Sequence, residues 1–375
     1  MESLTGIREG TARLLVPSSY NRKGPGSARG PVFYNRQMEF NRDVSIALLR
    51  AMPSLQTVLD AHAATGVRSM RIALETGRDL RIVACDTRQD AVSLMRRNIL
   101  EAGVDVEVIR ASALELMSSS KFDYIDIDPF GTPVPYVHAA LQSVRKGGVI
   151  ALTATDTAVL CGSSGTCERR YLARSFRSPF MHETGARILL GYVIRIASSL
   201  DMAAYPLLSY YADHYFRVYV RVERGSRAAE AQLHSLGYAH YNPATLERYV
   251  DTKWAGDASG PLWAGALHSA DLLSSMSVDE CFGSAPRFAR MLALWKGEVD
   301  APALFYRMDE LSSIWKVNAP PRNTFLSELS RHSAAAGTHF SPVGIKCSLP
   351  PESMRSAFIR SGGGTLMDKR EGCEA

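Results

Sequence analysis

No Cys-x-x-Cys pair and no Cys/His array at zinc spacing occurs in this chain, so the sequence encodes no zinc ribbon or finger. Its six cysteines are scattered, at Cys85, Cys161, Cys167, Cys281, Cys347 and Cys373. Cys161 and Cys167 are near enough in sequence to pair, but buried or free thiols are the expectation for a cytosolic protein. No uninterrupted apolar run is long enough to cross a bilayer, and the N-terminus lacks the charged-then-apolar pattern of a secretory leader. The expected location is therefore the cytoplasm, with no membrane partner. Neither sign of charge dominates: 43 Lys and Arg against 38 Asp and Glu leave a net +5, which is compatible with a nucleic-acid partner without predicting one. Basic residues do cluster at Arg22, Lys23, Arg29 and Arg36, in a segment containing Gly, Pro and Ser, and at Arg169, Arg170, Arg174 and Arg177. Each cluster is either a phosphate-contacting patch or a solvated face.

What the chain does have is a regular alternation of short apolar runs and amphipathic stretches. Strands are expected over residues 55–60, 80–84, 104–109, 124–127 and 148–153, with helices starting near Met70, spanning 90–99 and spanning 137–144. That βαβ spacing predicts an α/β fold with a parallel, doubly wound sheet, whose ligands bind at the carboxyl ends of the strands. The length of 375 residues leaves room for a second domain, expected to begin between residues 195 and 205. It opens with strands over 207–211 and 215–222. Later come helices over 287–295, 304–314 and 324–336, then a hairpin-like segment over 337–346. Two helices and an extended wing would suit RNA, or simply form a small packing domain.

The most informative stretch is Phe122-Asp123-Tyr124-Ile125-Asp126-Ile127-Asp128-Pro129-Phe130-Gly131. It reads as a strand ending in an acid, a proline, an aromatic and a glycine. An exocyclic amine on a nucleobase is a poor nucleophile, because its lone pair is delocalised into the ring. A carboxylate and a backbone carbonyl that accept its two N–H bonds stabilise positive charge developing at nitrogen. Asp128 and the carbonyl of Pro129 are candidates for that pair, and Phe130 could stack on the base. The plain alternative is a strand-to-loop turn with Phe130 in the core. At the same rim lie the turn at Gly66 and the acid Asp86, which suits a cofactor ribose or, alternatively, caps the next helix. The turn is not GxGxxG, which favours a cofactor without phosphates, such as S-adenosylmethionine. Asp126 and Asp128 also form a DxD, so a metal-dependent glycosyltransferase is a rival, although Pro129-Phe130-Gly131 has no role in one.

The chain resembles the tRNA guanine-26 N2-dimethyltransferases in their compact archaeal form. The resemblance runs through Phe33-Tyr34-Asn35, Glu39-Phe40-Asn41-Arg42-Asp43, Leu59-Asp60-Ala61, Ala64-Thr65-Gly66-Val67-Arg68 and the Asp128-Pro129-Phe130-Gly131 motif. It continues through Thr153-Ala154-Thr155-Asp156, His182-Glu183, Asp213-His214-Tyr215-Phe216-Arg217, Gly260-Pro261-Leu262-Trp263 and Thr338-His339-Phe340. It implies a Rossmann-like methyltransferase domain over 1–200, a mixed α+β C-terminal domain over 201–375, S-adenosylmethionine as cofactor and tRNA as partner. It further implies one or two methyl transfers to the N2 of guanine 26, with Asp128, Pro129 and Phe130 at the target amine and Arg42, Arg68 and Asp86 on the cofactor. Ser112 and Ala113 align where the family commonly has Asp-Ala beside the adenine, and a serine hydroxyl accepts hydrogen bonds without charge. Ala336-Gly337 stands where an arginine is common. Methylation of a DNA or protein amine, or RNA binding without chemistry, are the alternatives that the sheet alone leaves open.

Overall fold

The computed structural model describes residues 3–20 and 32–362. Of the residues singled out above, Arg22, Lys23, Arg29 and Cys373 lie outside this set.

A hairpin of β1 (Leu4–Glu9) and β2 (Ala12–Pro17) leads the chain. Its turn needs glycine: Gly10 has a φ of 56°, and a Cβ there would collide with the side chains of Glu75 and Arg71. Helix α1 (Glu39–Ala51) follows, then β3 (Thr57–Asp60), α2 (Val67–Glu75), β4 (Arg81–Asp86), α3 (Gln89–Ala102), β5 (Glu107–Arg110), α4 (Ala113–Ser119), β6 (Phe122–Ile127), α5 (Val134–Ser143) and β7 (Val144–Ala154). After the short helices α6 (Thr157–Leu160) and α7 (Cys167–Tyr171), the long α8 (Met181–Ser198) leads into β8 (Met202–Ala212) and β9 (Tyr215–Arg224).

The central sheet has seven strands in the order β5-β4-β3-β6-β7-β9-β8. Strands β3 to β7 are parallel, as the strand-helix alternation predicts, and β9 and β8 add antiparallel. Side chains alternate between two cores because successive residues of a strand face opposite ways. Leu59, Val83, Ile125, Ile150 and Leu152 feed the core on one face. Val58, Ile82, Tyr124, Val149 and Ala151 feed the other. Strand order reverses between β3 and β6, which opens a crevice there at the carboxyl ends.

The expected division at residue 200 falls just before β8, yet β8 and β9 complete the central sheet through the pairing of β9 with β7. The two antiparallel strands read as an independent β unit only because pairing partners are invisible in sequence. Further on, the helix Ala285–Glu298 returns to the central sheet on the face of Val58 and Tyr124, where Phe288 and Trp295 pack on Phe40 of α1 and Trp295 on Tyr210 of β8. Two small antiparallel sheets and the helices Ser226–His234, Ala270–Ser275, Met308–Trp315, Arg322–Leu329 and Pro351–Arg360 build the remainder. The helix expected over 304–314 starts later, because Tyr306–Arg307 is a strand. The helix expected over 324–336 stops at Leu329, since Ala335–Gly337 pairs with Gly344–Cys347. Cys161 and Cys167 are buried free thiols rather than a pair.

Candidate functional site

Five strand ends converge on one cavity of about 590 Å³ in that crevice. After β3 the chain turns through Ala64 (φ 47°) and Gly66 (φ 79°), both left-handed, before α2 begins. A Cβ at Gly66 would lie 2.8 Å from Met95, so glycine is needed for space as well as for backbone angle. Asp86, at the end of β4, fastens this turn: one carboxylate oxygen accepts from the Ala64 N–H at 3.2 Å and the other from the Arg88 N–H at 2.9 Å. After β5, Ser112 caps α4 by accepting from the Leu114 N–H at 3.3 Å, with Ala113 next to it in the cavity wall. After β6 comes Asp128-Pro129-Phe130-Gly131. After β7, Thr155 clasps that loop: its hydroxyl accepts from the Gly131 N–H at 2.8 Å and its N–H donates to the Gly131 carbonyl at 2.8 Å.

All eight residues expected at a site, namely Asp128, Pro129, Phe130, Arg42, Arg68, Asp86, Ser112 and Ala113, line this one cavity. Phe130 is not a core residue. It is 60 % exposed, and its ring meets the edge of Phe33 with centroids 4.7 Å apart. Phe33 has no expected role beyond its place in the Phe33-Tyr34-Asn35 motif; the available signal is an aromatic following a Gly- and Pro-rich segment. Asp60, His62 and His214, which carry no expected site role, also line the cavity.

The electrostatics are organised by buried arginines. Arg68 donates to Asp128 Oδ2 at 2.6 Å and lies 3.3 Å from Asp126. Arg217 of β9 grips both oxygens of Asp126, at 2.6 and 3.1 Å, and the Tyr124 hydroxyl donates to the same group at 2.8 Å. Burial pushes the Asp126 carboxyl up, but Arg217 and Arg68 outweigh it and hold the group below the usual carboxylate range. The Asp128 side chain is 19 % exposed, and its Oδ1 has no hydrogen-bond partner among the described residues. Arg42 is bound to Glu9 of the leading hairpin, 2.6 Å from its Oε2, and Tyr34 donates to the same oxygen at 2.7 Å. Burial raises the Asp60 carboxyl; Arg68 pulls it back and Asp126 adds to the rise, leaving it at about 6.

This arrangement argues against the DxD as a cation site. Asp126 is fully buried with two guanidiniums on it, and Asp128 already carries one. Elsewhere the fold gathers His268, Glu298 and His339 from distant segments, with ligand-type atoms within 4.8 Å of one another. Glu298 is nonetheless saturated: Oε1 accepts from the His339 N–H and faces its Nδ1 at 2.6 Å, while Oε2 accepts from Thr338 at 2.9 Å and has Lys346 3.3 Å away. Lys346 also bonds Glu183 at 2.9 Å, so an ammonium already balances the two buried carboxylates.

Comparison with known proteins settles the family. The profile described as TRM, N2,N2-dimethylguanosine tRNA methyltransferase, matches residues 10–358. The chain belongs to this family. It is 34 % identical over 376 residues to the tRNA (guanine(26)-N(2))-dimethyltransferase of Pyrococcus abyssi, covering 93 % of this chain and 97 % of that one. It is 35 % identical over 362 residues to the enzyme of the same name from Metallosphaera sedula, covering 92 % and 93 %. The solved structure of Trm1 from Pyrococcus horikoshii in complex with S-adenosyl-L-methionine matches with a TM-score of 0.85 at 31 % identity, over 94 % of this chain and 99 % of that one.

Proposed function

We propose that this chain is an S-adenosylmethionine-dependent tRNA methyltransferase that transfers one or two methyl groups to the exocyclic N2 of guanine 26. The observation that carries the proposal is the Asp128 carboxylate, anchored through one oxygen by Arg68 with the other free at the end of β6.

The cavity suits a nucleoside cofactor in size and lining. The adenosine end is at β4 and β5: Asp86 for the ribose hydroxyls, Ser112 and Ala113 beside the base. Arg42 and Arg68 supply positive charge for the amino-acid carboxylate. S-adenosylmethionine, when bound, supplies an electrophilic methyl group on a sulfonium. The protein's work is to present the nucleophile. Asp128 Oδ1 and the Pro129 carbonyl accept the two N–H bonds of the target amine, so that charge arriving at nitrogen meets fixed acceptors. Phe130, with Phe33 at its edge, offers the stacking face for a guanine turned out of the tRNA stack, at a cost of roughly a few kcal/mol. The clasp by Thr155 holds this loop still.

The catalytic unit of this proposal runs through Arg224, because β9 supplies both the neighbour of β7 and the partner of Asp126. The chain beyond it returns to this unit through Phe288 and Trp295 before building the C-terminal part. No helix among the described residues is long and apolar enough to cross a membrane; a cytoplasmic location is part of this proposal, in keeping with a tRNA substrate. Transfer of labelled methyl groups to a tRNA transcript tests the function: label should enter a transcript with guanine at position 26 and not one with adenine there. Equal labelling of both would overturn the assignment.

Two further expectations follow from the geometry. Asp86→Ala should weaken cofactor binding by roughly 1.5–3 kcal/mol, the range for hydrogen bonds to a charged group. Calorimetry that finds unchanged affinity would remove Asp86 from the site. In the arginine cluster, Arg170 is committed to Asp156 at 2.7 Å, immediately after Thr155, whereas Arg169, Arg174 and Arg177 are exposed. Changing those three to glutamine should weaken binding of intact tRNA and flatten its salt dependence, with little effect on a short guanine-containing oligonucleotide. Equal losses on both substrates across a salt series would show that the cluster does not contact the tRNA body.

A further inference from the structure

We infer that His214 is a specificity-determining residue that donates a hydrogen bond to the O6 edge of the target guanine; the inference rests on the function proposed above. The order of strands along the rim locates it. The proposed adenosine end of the cavity lies at β4 and β5, and the proposed amine acceptor lies at the end of β6. The sheet continues through β7 to β9, and His214 lines the cavity at that end. The last pair between these strands is Ala154 with Phe216, so the register places Tyr215 level with Thr155 and His214 one position beyond it, past the end of β7. A purine whose amine is at Asp128 therefore extends toward His214, away from the cofactor.

The chemistry of guanine sets which edge arrives there. The amine at C2 and the oxygen at C6 flank N1, and the glycosidic nitrogen lies on the N3 side. The base enters on its backbone, so the glycosidic bond points out through the mouth. With the amine fixed at Asp128, the remaining O6 side faces the wall that the β8–β9 turn builds. O6 only accepts hydrogen bonds, and an imidazole N–H donates.

The turn is built to present this side chain. Asp213 is left-handed at φ 50°, its carboxylate accepts from Arg287 at 2.8 Å, and its carbonyl accepts from the Tyr211 hydroxyl at 2.7 Å. His214, between this fastened residue and the strand, has no ring hydrogen bond among the described residues. Its donor capacity is unspent.

The test compares tRNA carrying guanine with tRNA carrying 2-aminopurine at the target position, since 2-aminopurine keeps the N2 amine and lacks O6. Wild-type enzyme should prefer guanine in kcat/KM by roughly two- to tenfold, as expected for one neutral hydrogen bond. In His214→Ala that preference should collapse toward unity, while His214→Gln, which keeps an N–H donor, should retain part of it. Calorimetric binding of S-adenosylmethionine reports that each variant has formed the cavity, and His214→Gln carries the test alone should the alanine variant fail to fold. A parallel fall on both substrates, with the preference intact, would overturn the inference and leave His214 a structural residue. Failure of the wild-type enzyme to methylate the guanine substrate would instead strike at the function itself.

Discussion

Asp128→Ala is expected to lower the rate of methyl transfer by roughly two to three orders of magnitude, the cost of removing one preorganised acceptor of transition-state charge. The target amine has no strong nucleophilic lone pair of its own, so its reactivity depends on what surrounds it. Asp128 is placed to help because Arg68 holds one oxygen at 2.6 Å and thereby aims the other. A mobile surface carboxylate would lose much of that effect to reorganisation. Single-turnover measurements at saturating cofactor separate this loss from binding, and calorimetry should find cofactor affinity little changed. Asp128→Asn keeps an acceptor oxygen but loses the charge, so it should fall between the two. A wild-type rate in the alanine variant would remove Asp128 from the chemistry.

Arg217→Ala is expected to cost roughly 3–5 kcal/mol of stability, because it leaves Asp126 buried without its main partner. Neither side chain is exposed, and the guanidinium also reaches Ser45 on α1 at 3.1 Å and Thr153 on β7 at 2.9 Å. In the native protein the Asp126 carboxyl is held down by Arg217 and Arg68 against burial. Its contribution to stability is therefore present above the carboxylate's unfolded pKa and is lost as pH falls through the lower folded value. Removing Arg217 raises the folded value. The deficit should then be largest near neutral pH, where Asp126 must stay charged, and should shrink on acidification once the variant's carboxyl binds a proton. Denaturant titrations of both proteins from neutral to mildly acidic pH would measure this. A deficit independent of pH would show that lost packing, not the unpaired charge, is responsible.

The parallel sheet was legible in sequence because β3, β4, β6 and β7 are apolar runs at βαβ spacing, buried on both faces. The site was partly legible for the same reason: Asp86, Ser112 and Asp128 are where strands end, and a doubly wound sheet places its ligands there. The partners that make those residues work were not legible. Glu9 meets Arg42 across 33 positions and Arg217 meets Asp126 across 91, and no local pattern encodes such pairs. The antiparallel addition of β9 to β7 was missed on the same grounds, and with it the arrival of His214 at the rim. At residues 333–336 a Ser-Ala run favours helix locally, but pairing of Ala335–Gly337 with Gly344–Cys347 takes precedence. The alanine and glycine found where the family commonly has an arginine thus sit in a sheet strand.

Asp128 and the Pro129 carbonyl, in this proposal, hold a guanine N2 for methyl transfer. Mass spectrometry of nucleosides from tRNA incubated with the enzyme and S-adenosylmethionine tests it directly, since it reports base, atom and number of methyl groups together. N2-methylguanosine, N2,N2-dimethylguanosine or both are expected at position 26, formed with Asp128→Ala at a rate lower by roughly two to three orders of magnitude. Methylation on a ring nitrogen, on another base, or at an undiminished level in the Asp128 variant would contradict it.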